Sequence, residues 1–248
     1  MHRFIATNAD LSQKRLTITE NKEIHHLTNV LRLQTEEKIV IFNGNGQEVL
    51  AKITGLTPTK IEIALIAPVK NSPKNTITLT LACAIPKKTK FETIIEKCTE
   101  LGVDRIIPVL TQRTEIHLNA QRQEKKQQRY ATVAINAAKQ CQRNFLPSVD
   151  HPTNFHEVLK SLSSTDAAFI PCLNGERKNL LSSFDLKPHH QNVILFIGPE
   201  GDFTPKELHT ALSVGCIPVT LGPNVLKVDT AAISSVACVK LLLEKTRE

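Results

Sequence analysis

Leu195-Phe196-Ile197-Gly198-Pro199-Glu200-Gly201-Asp202-Phe203-Thr204 decides the fold of this chain. A short run of large apolar residues stops at one glycine, passes a second, and meets Thr204-Pro205 with Glu207 behind it. Thr followed three residues later by Glu is a capping box, and Pro is favoured in the first helical turn. The stretch therefore reads as a buried strand, a tight loop and a capped helix ending near Gly215. Gly198 and Gly201 let the backbone come close to a ligand. The same pattern also fits an ordinary strand-to-helix turn. The spacing is not GxGxxG, and no Gly-Lys-Ser/Thr follows, so neither a dinucleotide fingerprint nor a P-loop is present.

Working outward, residues 217–221 form the next strand, followed by Leu221-Gly222-Pro223-Asn224-Val225-Leu226-Lys227-Val228-Asp229-Thr230-Ala231 and a final apolar helix over 229–243. Two such loops at the carboxyl ends of neighbouring strands make one crevice, where open α/β sheets bind ligands. Val225 and Leu226 can sandwich a flat base or fill the space between strand and helix. Towards the amino terminus, 193–197 and 167–172 read as buried strands, 105–110 and 77–85 as two more. Between them, 90–101 has apolar positions at helical spacing closed by Gly102, and 119–143 is a long polar helix. This alternation predicts an α/β domain with a parallel sheet covered on both faces.

Before residue 70 the grammar differs. Residues 16–18, 38–42, 49–53 and 61–66 read as short strands, and 22–31 as a short helix. Asn43-Gly44-Asn45-Gly46 is a hairpin turn, because Asn and Gly tolerate positive φ. Strands at this spacing predict a small antiparallel barrel. Residues 68–75 carry two Pro and two Asn and read as a linker. Two domains are expected, over 1–70 and 75–248.

Composition narrows the function. The net charge of +7 suits an anionic partner, though it equally aids solubility. With no Trp and 4% aromatics, a base-stacking platform for single-stranded nucleic acid is poorly supplied. The six cysteines include no CxxC pair, and His25-His26 and His189-His190 have no further ligand at metal spacing, so neither a disulfide framework nor a metal site is expected. The first residues lack the apolar core of a secretion signal, and no apolar run approaches a membrane span, so a cytoplasmic protein is expected.

Across nearly its whole length the chain resembles the SPOUT superfamily of RNA methyltransferases and, within it, the RsmE family. The resemblance is carried by His26-Leu27 with Val30-Leu31-Arg32-Leu33, by Phe42-Asn43-Gly44 with Gly46, and by Glu96-Lys97 with Thr99-Glu100-Leu101-Gly102-Val103. It continues in Ile107-Pro108, Arg113-Thr114, Ala138, Gln140, Arg143, Leu146-Pro147, the Gly198 loop and Leu221-Gly222 with Val225-Leu226. Two places depart from the family pattern. Asp202 stands where the loop usually has a further glycine, and Leu226-Lys227-Val228-Asp229-Thr230-Ala231 replaces Leu-Arg-x-Glu-Thr-Ala. Arg→Lys and Glu→Asp keep charge sign but not bidentate geometry or reach.

The resemblance implies a PUA-like RNA-binding β-barrel followed by an α/β domain with a trefoil knot, assembled as a homodimer through the C-terminal domain. It implies methylation of uridine N3 in small-subunit (16S) ribosomal RNA, with S-adenosylmethionine as methyl donor and no metal. Another SPOUT RNA methyltransferase, or a non-catalytic RNA-binding protein of the same fold, are the alternatives. The cofactor would be held by Leu195, Ile197, Gly198, Pro199, Glu200 and Gly201 from the first loop, and by Leu221, Gly222, Val225, Leu226 and Thr230 from the second. Arg143 and Lys227 would stabilise the uridinate, and Glu200 would either take the proton or bond loop amides. Arg3, Arg32 and Arg113 would contact RNA phosphates.

Overall fold

The computed structural model describes residues 1–7, 9–87, 91–114 and 120–245. The chain forms two compact units, one of Met1–Lys74 with Ala138–Leu146 and one of Asn75–Ala137 with Pro147–Glu248. Residues 138–146, which pattern alone leaves in the second domain, thus belong to the first.

The first unit contains β1 (Arg3–Ile5), β2 (Arg15–Ile18), α1 (Asn21–His25), β3 (Lys38–Phe42), β4 (Gln47–Leu56), β5 (Ile61–Leu65) and β6 (Lys70–Asn71). Its sheet runs β1-β3-β4-β5-β2, with β6 paired to β4. Side chains alternate across a strand, so Ile39 and Ile41, Val49, Ala51 and Ile53, and Ile61 and Ile63 share one buried face with Phe4 and Leu27. The expected sheet was wholly antiparallel. In the structure β1 lies parallel to β3, and its three residues are too few to show a period of two.

The hairpin at 43–46 forms as its residues predict. Asn43 Oδ1 accepts the N–H of Asn45 at 2.9 Å and of Gln47 at 3.2 Å. Gly46 adopts φ +92°, and a Cβ there would fall 2.2 Å from the Phe145 ring. Only glycine fits. The helix expected over 22–31 is α1 continued by a π-helical turn, His26–Val30, a wider turn common at functional sites. It ends at the exposed Arg32, whose φ of +54° breaks the helical path.

Arg3 is not the phosphate contact expected. Its side chain is 8% exposed, donating to Glu48 at 2.6 Å and to Asn144 Oδ1 at 2.5 Å, with the guanidinium 5.0 Å from the Phe42 ring centre. The hydrogen bond from Arg3 holds the Glu48 carboxyl below its ordinary pKa. Lys139, a basic residue of the long polar helix, is likewise buried in an ion pair with Glu23. Both cations serve the packing of the first unit.

The second unit begins with β7 (Thr78–Ala84), α2 (Phe91–Glu100), β8 (Arg105–Leu110) and α3 (Ala120–Gln140), whose last turn belongs to the first unit. Lys90 and Asn119, the expected first residues of the two helices, lie outside the described residues. There follow β9 (Ser148–Val149), β10 (Thr153–Asn154), α4 (Phe155–Lys160), β11 (Asp166–Pro171), β12 (Lys178–Asn179) and α5 (Leu180–Ser183). The chain closes with β13 (Asn192–Ile197), α6 (Pro205–Ser213), β14 (Ile217–Thr220) and α7 (Val228–Lys245).

These strands make one parallel sheet, β10-β8-β7-β13-β11-β14-β12, with β9 beside β8. Apolar residues on both faces of the longer strands, β7, β8, β11 and β13, require cover on both sides. Val193, Leu195 and Ile197 enter a core with Phe91, Ile95, Ala232 and Val236 from α2 and α7. Ile194 and Phe196 enter another with Phe155, Val158, Phe203 and Ala211. Sheet order corrects one expectation. β13 and β14 are not neighbours, because β11 lies between them.

Candidate cofactor cleft

Strands β13, β11 and β14 all end at the carboxyl edge of the sheet, and their three loops enclose a cleft within the second unit. Ile197, Gly198, Pro199 and Glu200 line it from the loop after β13, and Leu221, Gly222, Val225 and Leu226 from the loop after β14. Eight of the expected cofactor residues are therefore gathered at one site. Three are not part of its wall. Leu195 is fully buried in the core, since its position on β13 points it at the α2–α7 face. Gly201 faces Arg113, whose Cδ would lie 3.3 Å from an added Cβ. Thr230 is exposed on α7, where its carbonyl accepts the Ser234 hydroxyl.

The loop after β13 is pinned from several sides. Its capping box forms as expected: Thr204 N–H donates to Glu207 Oε2 at 2.9 Å, and Glu207 N–H to the Thr204 hydroxyl at 3.2 Å. The other oxygen of the buried Glu207 accepts Gln112 N–H at 2.8 Å, tying α6 to the loop after β8. Arg113 donates to the Gly201 carbonyl. One nitrogen of the exposed guanidinium is thereby engaged in loop structure. Glu200 Oε1 accepts the N–H of Lys87, after β7, at 2.8 Å. This is a bond to a loop amide, one of the two roles expected of Glu200.

The two glycines of this loop are glycines for internal reasons. A Cβ on Gly198 would sit 3.1 Å from the Phe203 ring, not in the ligand's space. Gly222 differs. It has φ +131° and nothing within 4 Å of an added Cβ, so its bare backbone faces the open cleft. The expected cations fall elsewhere. Lys227 is exposed just before α7 and outside the cleft lining, and the half-buried Arg143 belongs to the first unit.

Sequence patterns missed the loop after β11. Cys172, Leu173 and Arg177 line the cleft, because β11 occupies the middle of the three strands. Burial, and then the charge of Asp202, push the Cys172 thiol above its ordinary pKa. Gly175, at φ +89°, marks the turn and was the one local signal available.

The cleft suits a nucleoside bearing charged substituents. It offers apolar walls from Ile197, Leu226 and the largely exposed Val225, backbone groups around Gly222, and the charged side chains Arg177, Glu200 and Asp202. Among the described residues, no group of three or more His, Cys, Asp or Glu side chains is placed to hold a metal, and no helix is long and apolar enough to cross a membrane.

A parallel sheet with its ligand cleft at the carboxyl edge, preceded by a small β-rich unit, defines a two-unit α/β ligand-binding protein. The chain belongs to the RNA methyltransferase family, whose domain matches residues 73–240, and an RNA methyltransferase PUA domain matches residues 18–66. It is similar to ribosomal RNA small subunit methyltransferase E of Synechocystis, 29% identical over 98% of this chain and 78% of that relative. The Bacillus subtilis protein of the same name is 26% identical over 91% of this chain and 90% of its own length. In structure the chain resembles ribosomal RNA small subunit methyltransferase E of Neisseria gonorrhoeae bound to S-adenosylmethionine. The TM-score is 0.87 at 27% identity, covering 98% of each chain.

Proposed function

We propose that this protein transfers a methyl group from S-adenosylmethionine to N3 of a uridine in small-subunit ribosomal RNA. The observation that carries this is the open cleft around Gly222 at the carboxyl edge of the sheet, in a chain of the RNA methyltransferase family. The same reading includes a trefoil knot at that edge, a homodimer formed through the C-terminal unit, and action in the cytoplasm. Light scattering that reads a monomer at micromolar concentration would remove the dimer. The deciding experiment incubates the purified protein with small ribosomal subunits and labelled S-adenosylmethionine, then identifies the nucleoside by mass spectrometry. Label in N3-methyluridine is the expected result. Label in another nucleoside would reassign the specificity, and no label with cofactor bound would make the protein a non-catalytic binder.

The cofactor supplies an electrophilic methyl group on a positively charged sulfur. The protein has to orient the base and favour loss of the N3 proton, because only then does nitrogen have a free lone pair for the methyl. A cation beside a uracil oxygen stabilises the negative charge that develops. Lys227 is the candidate on the second unit and Arg143 the candidate on the first. Holding both substrates in line contributes the rest. Lys227→Ala should slow single-turnover methyl transfer at saturating RNA by about 100-fold if it stabilises the uridinate. An unchanged rate would take Lys227 out of the mechanism.

Among the arginines assigned to RNA, Arg32 is the one whose substitution tests a phosphate contact in the first unit. It is exposed and displayed at φ +54° after the π-helical turn. Neutralising one phosphate contact lowers the slope of log affinity against log salt by roughly 0.7–0.9. Arg32→Ala should weaken subunit binding and flatten its salt dependence by that amount, with S-adenosylmethionine affinity unchanged. A parallel shift, with the slope retained, would show that Arg32 meets no phosphate.

A further inference from the structure

Asp202 combines features that the cofactor cleft alone does not explain. It occupies φ +61°, a conformation costly for most side chains but more accessible to Asp, in the turn closed by its own N–H to the Pro199 carbonyl at 2.9 Å. Its two carboxylate oxygens point to different places. Oδ1 accepts the N–H of Phe203, the next residue, at 2.8 Å. Oδ2 accepts the N–H of Leu173, in the loop after β11, at 2.9 Å. Asp202 and Leu173 both line the cleft. Arg177, also in the wall, donates to the Leu173 carbonyl, so this one peptide neighbourhood is held from both ends.

We infer that Asp202 is a positioning residue, a clamp that ties the loop after β13 to the loop after β11 and so sets the shape of the cleft for S-adenosylmethionine. The inference rests on the cofactor reading above. A carboxylate is suited to the task because it has two acceptor oxygens and no donor, and both groups facing it are N–H donors. Glycine, the usual residue of the family pattern at this position, accommodates the positive φ but cannot make the bridge. The charged acceptor makes each bond stronger than a neutral one. Without the bridge, the loop after β11 keeps its strand but loses its fixed place in the wall, and ordering that loop falls to the ligand.

Two variants separate the clamp from a general role in folding. Asp202→Asn is isosteric and tolerates positive φ. It keeps one acceptor oxygen for the turn, and its amide NH2 then faces the Leu173 N–H, donor against donor. Asp202→Gly relieves the backbone and removes both bonds. Thermal midpoints, calorimetric titration with S-adenosylmethionine, and the KM for the cofactor against kcat should be measured for the wild type and both variants. Expected are folded proteins, cofactor affinity weakened by about tenfold or more in both variants, and a loss that falls on KM more than on kcat. Wild-type affinity in a folded Asp202→Gly or Asp202→Asn protein would overturn the clamp while leaving the cofactor reading intact. A loss falling on kcat with KM unchanged would also overturn it. A wild-type protein that gives no binding heat would overturn the cofactor reading itself, and the clamp with it.

Discussion

Lys139→Met is expected to destabilise the first unit by about 3–5 kcal/mol, the usual cost of leaving one partner of a buried ion pair alone. Lys139 and Glu23 are 11% and 9% exposed, and the Lys139 ammonium lies 5.8 Å from the Phe4 ring centre. The second oxygen of Glu23 accepts the N–H of Ile5 at 3.3 Å. Methionine fills much the same space as lysine but leaves the carboxylate buried without its counter-charge. Adding Glu23→Gln should restore most of the loss, because the stranded charge goes with it. Urea unfolding of the two single variants and the double measures the coupling. A single-variant cost below about 1 kcal/mol would class the pair with exposed ion pairs. The imidazole of His26 offers an independent check. It sits below its ordinary pKa through burial first and the nearby Lys139 second, so it should titrate higher in Lys139→Met.

Gly222→Val should weaken S-adenosylmethionine binding by more than about 100-fold. The position has φ +131°, which valine rarely adopts, and an open cleft where its side chain would project. Because no protein atom lies within 4 Å of that Cβ, the fold should survive with a modest cost from the backbone alone. Calorimetric titration beside a thermal melt tests both halves. Wild-type affinity in a folded Gly222→Val protein would mean that the cofactor lies away from this loop.

Much of the second unit was legible because its longer strands are apolar on both faces and α6 carries a complete cap. β8 falls on residues 105–110 as read, and the capping box of Thr204 and Glu207 is present in full. What stayed hidden needed topology. Nothing in the residues of β11 says that it lies between β13 and β14, so the loop with Leu173 and Arg177 went unassigned. Periodicity likewise cannot show that a charge is buried. Arg3 and Lys139 look like solvated cations until Glu48 and Glu23 are seen beside them. Glycine was the most misleading signal. Gly198 and Gly222 look alike in the sequence, yet one makes room for Phe203 and the other for the open cleft.

The return of residues 138–146 to the first unit sets an order on its assembly during synthesis. A nascent chain ending at Lys74 already holds every strand of the first sheet. It still lacks Lys139 for Glu23, Asn144 for Arg3 and Phe145 to cover the hairpin at Gly46. About 70 further residues must leave the ribosome first, a wait of roughly 4–14 s at ordinary elongation rates. Through that interval the amino-terminal strands stay incomplete while much of β7, α2, β8 and α3 emerges behind them. The first unit to be translated is therefore not free to be the first to finish folding, and a fragment cut at residue 74 strands the Glu23 carboxylate that Lys139 neutralises in the whole chain.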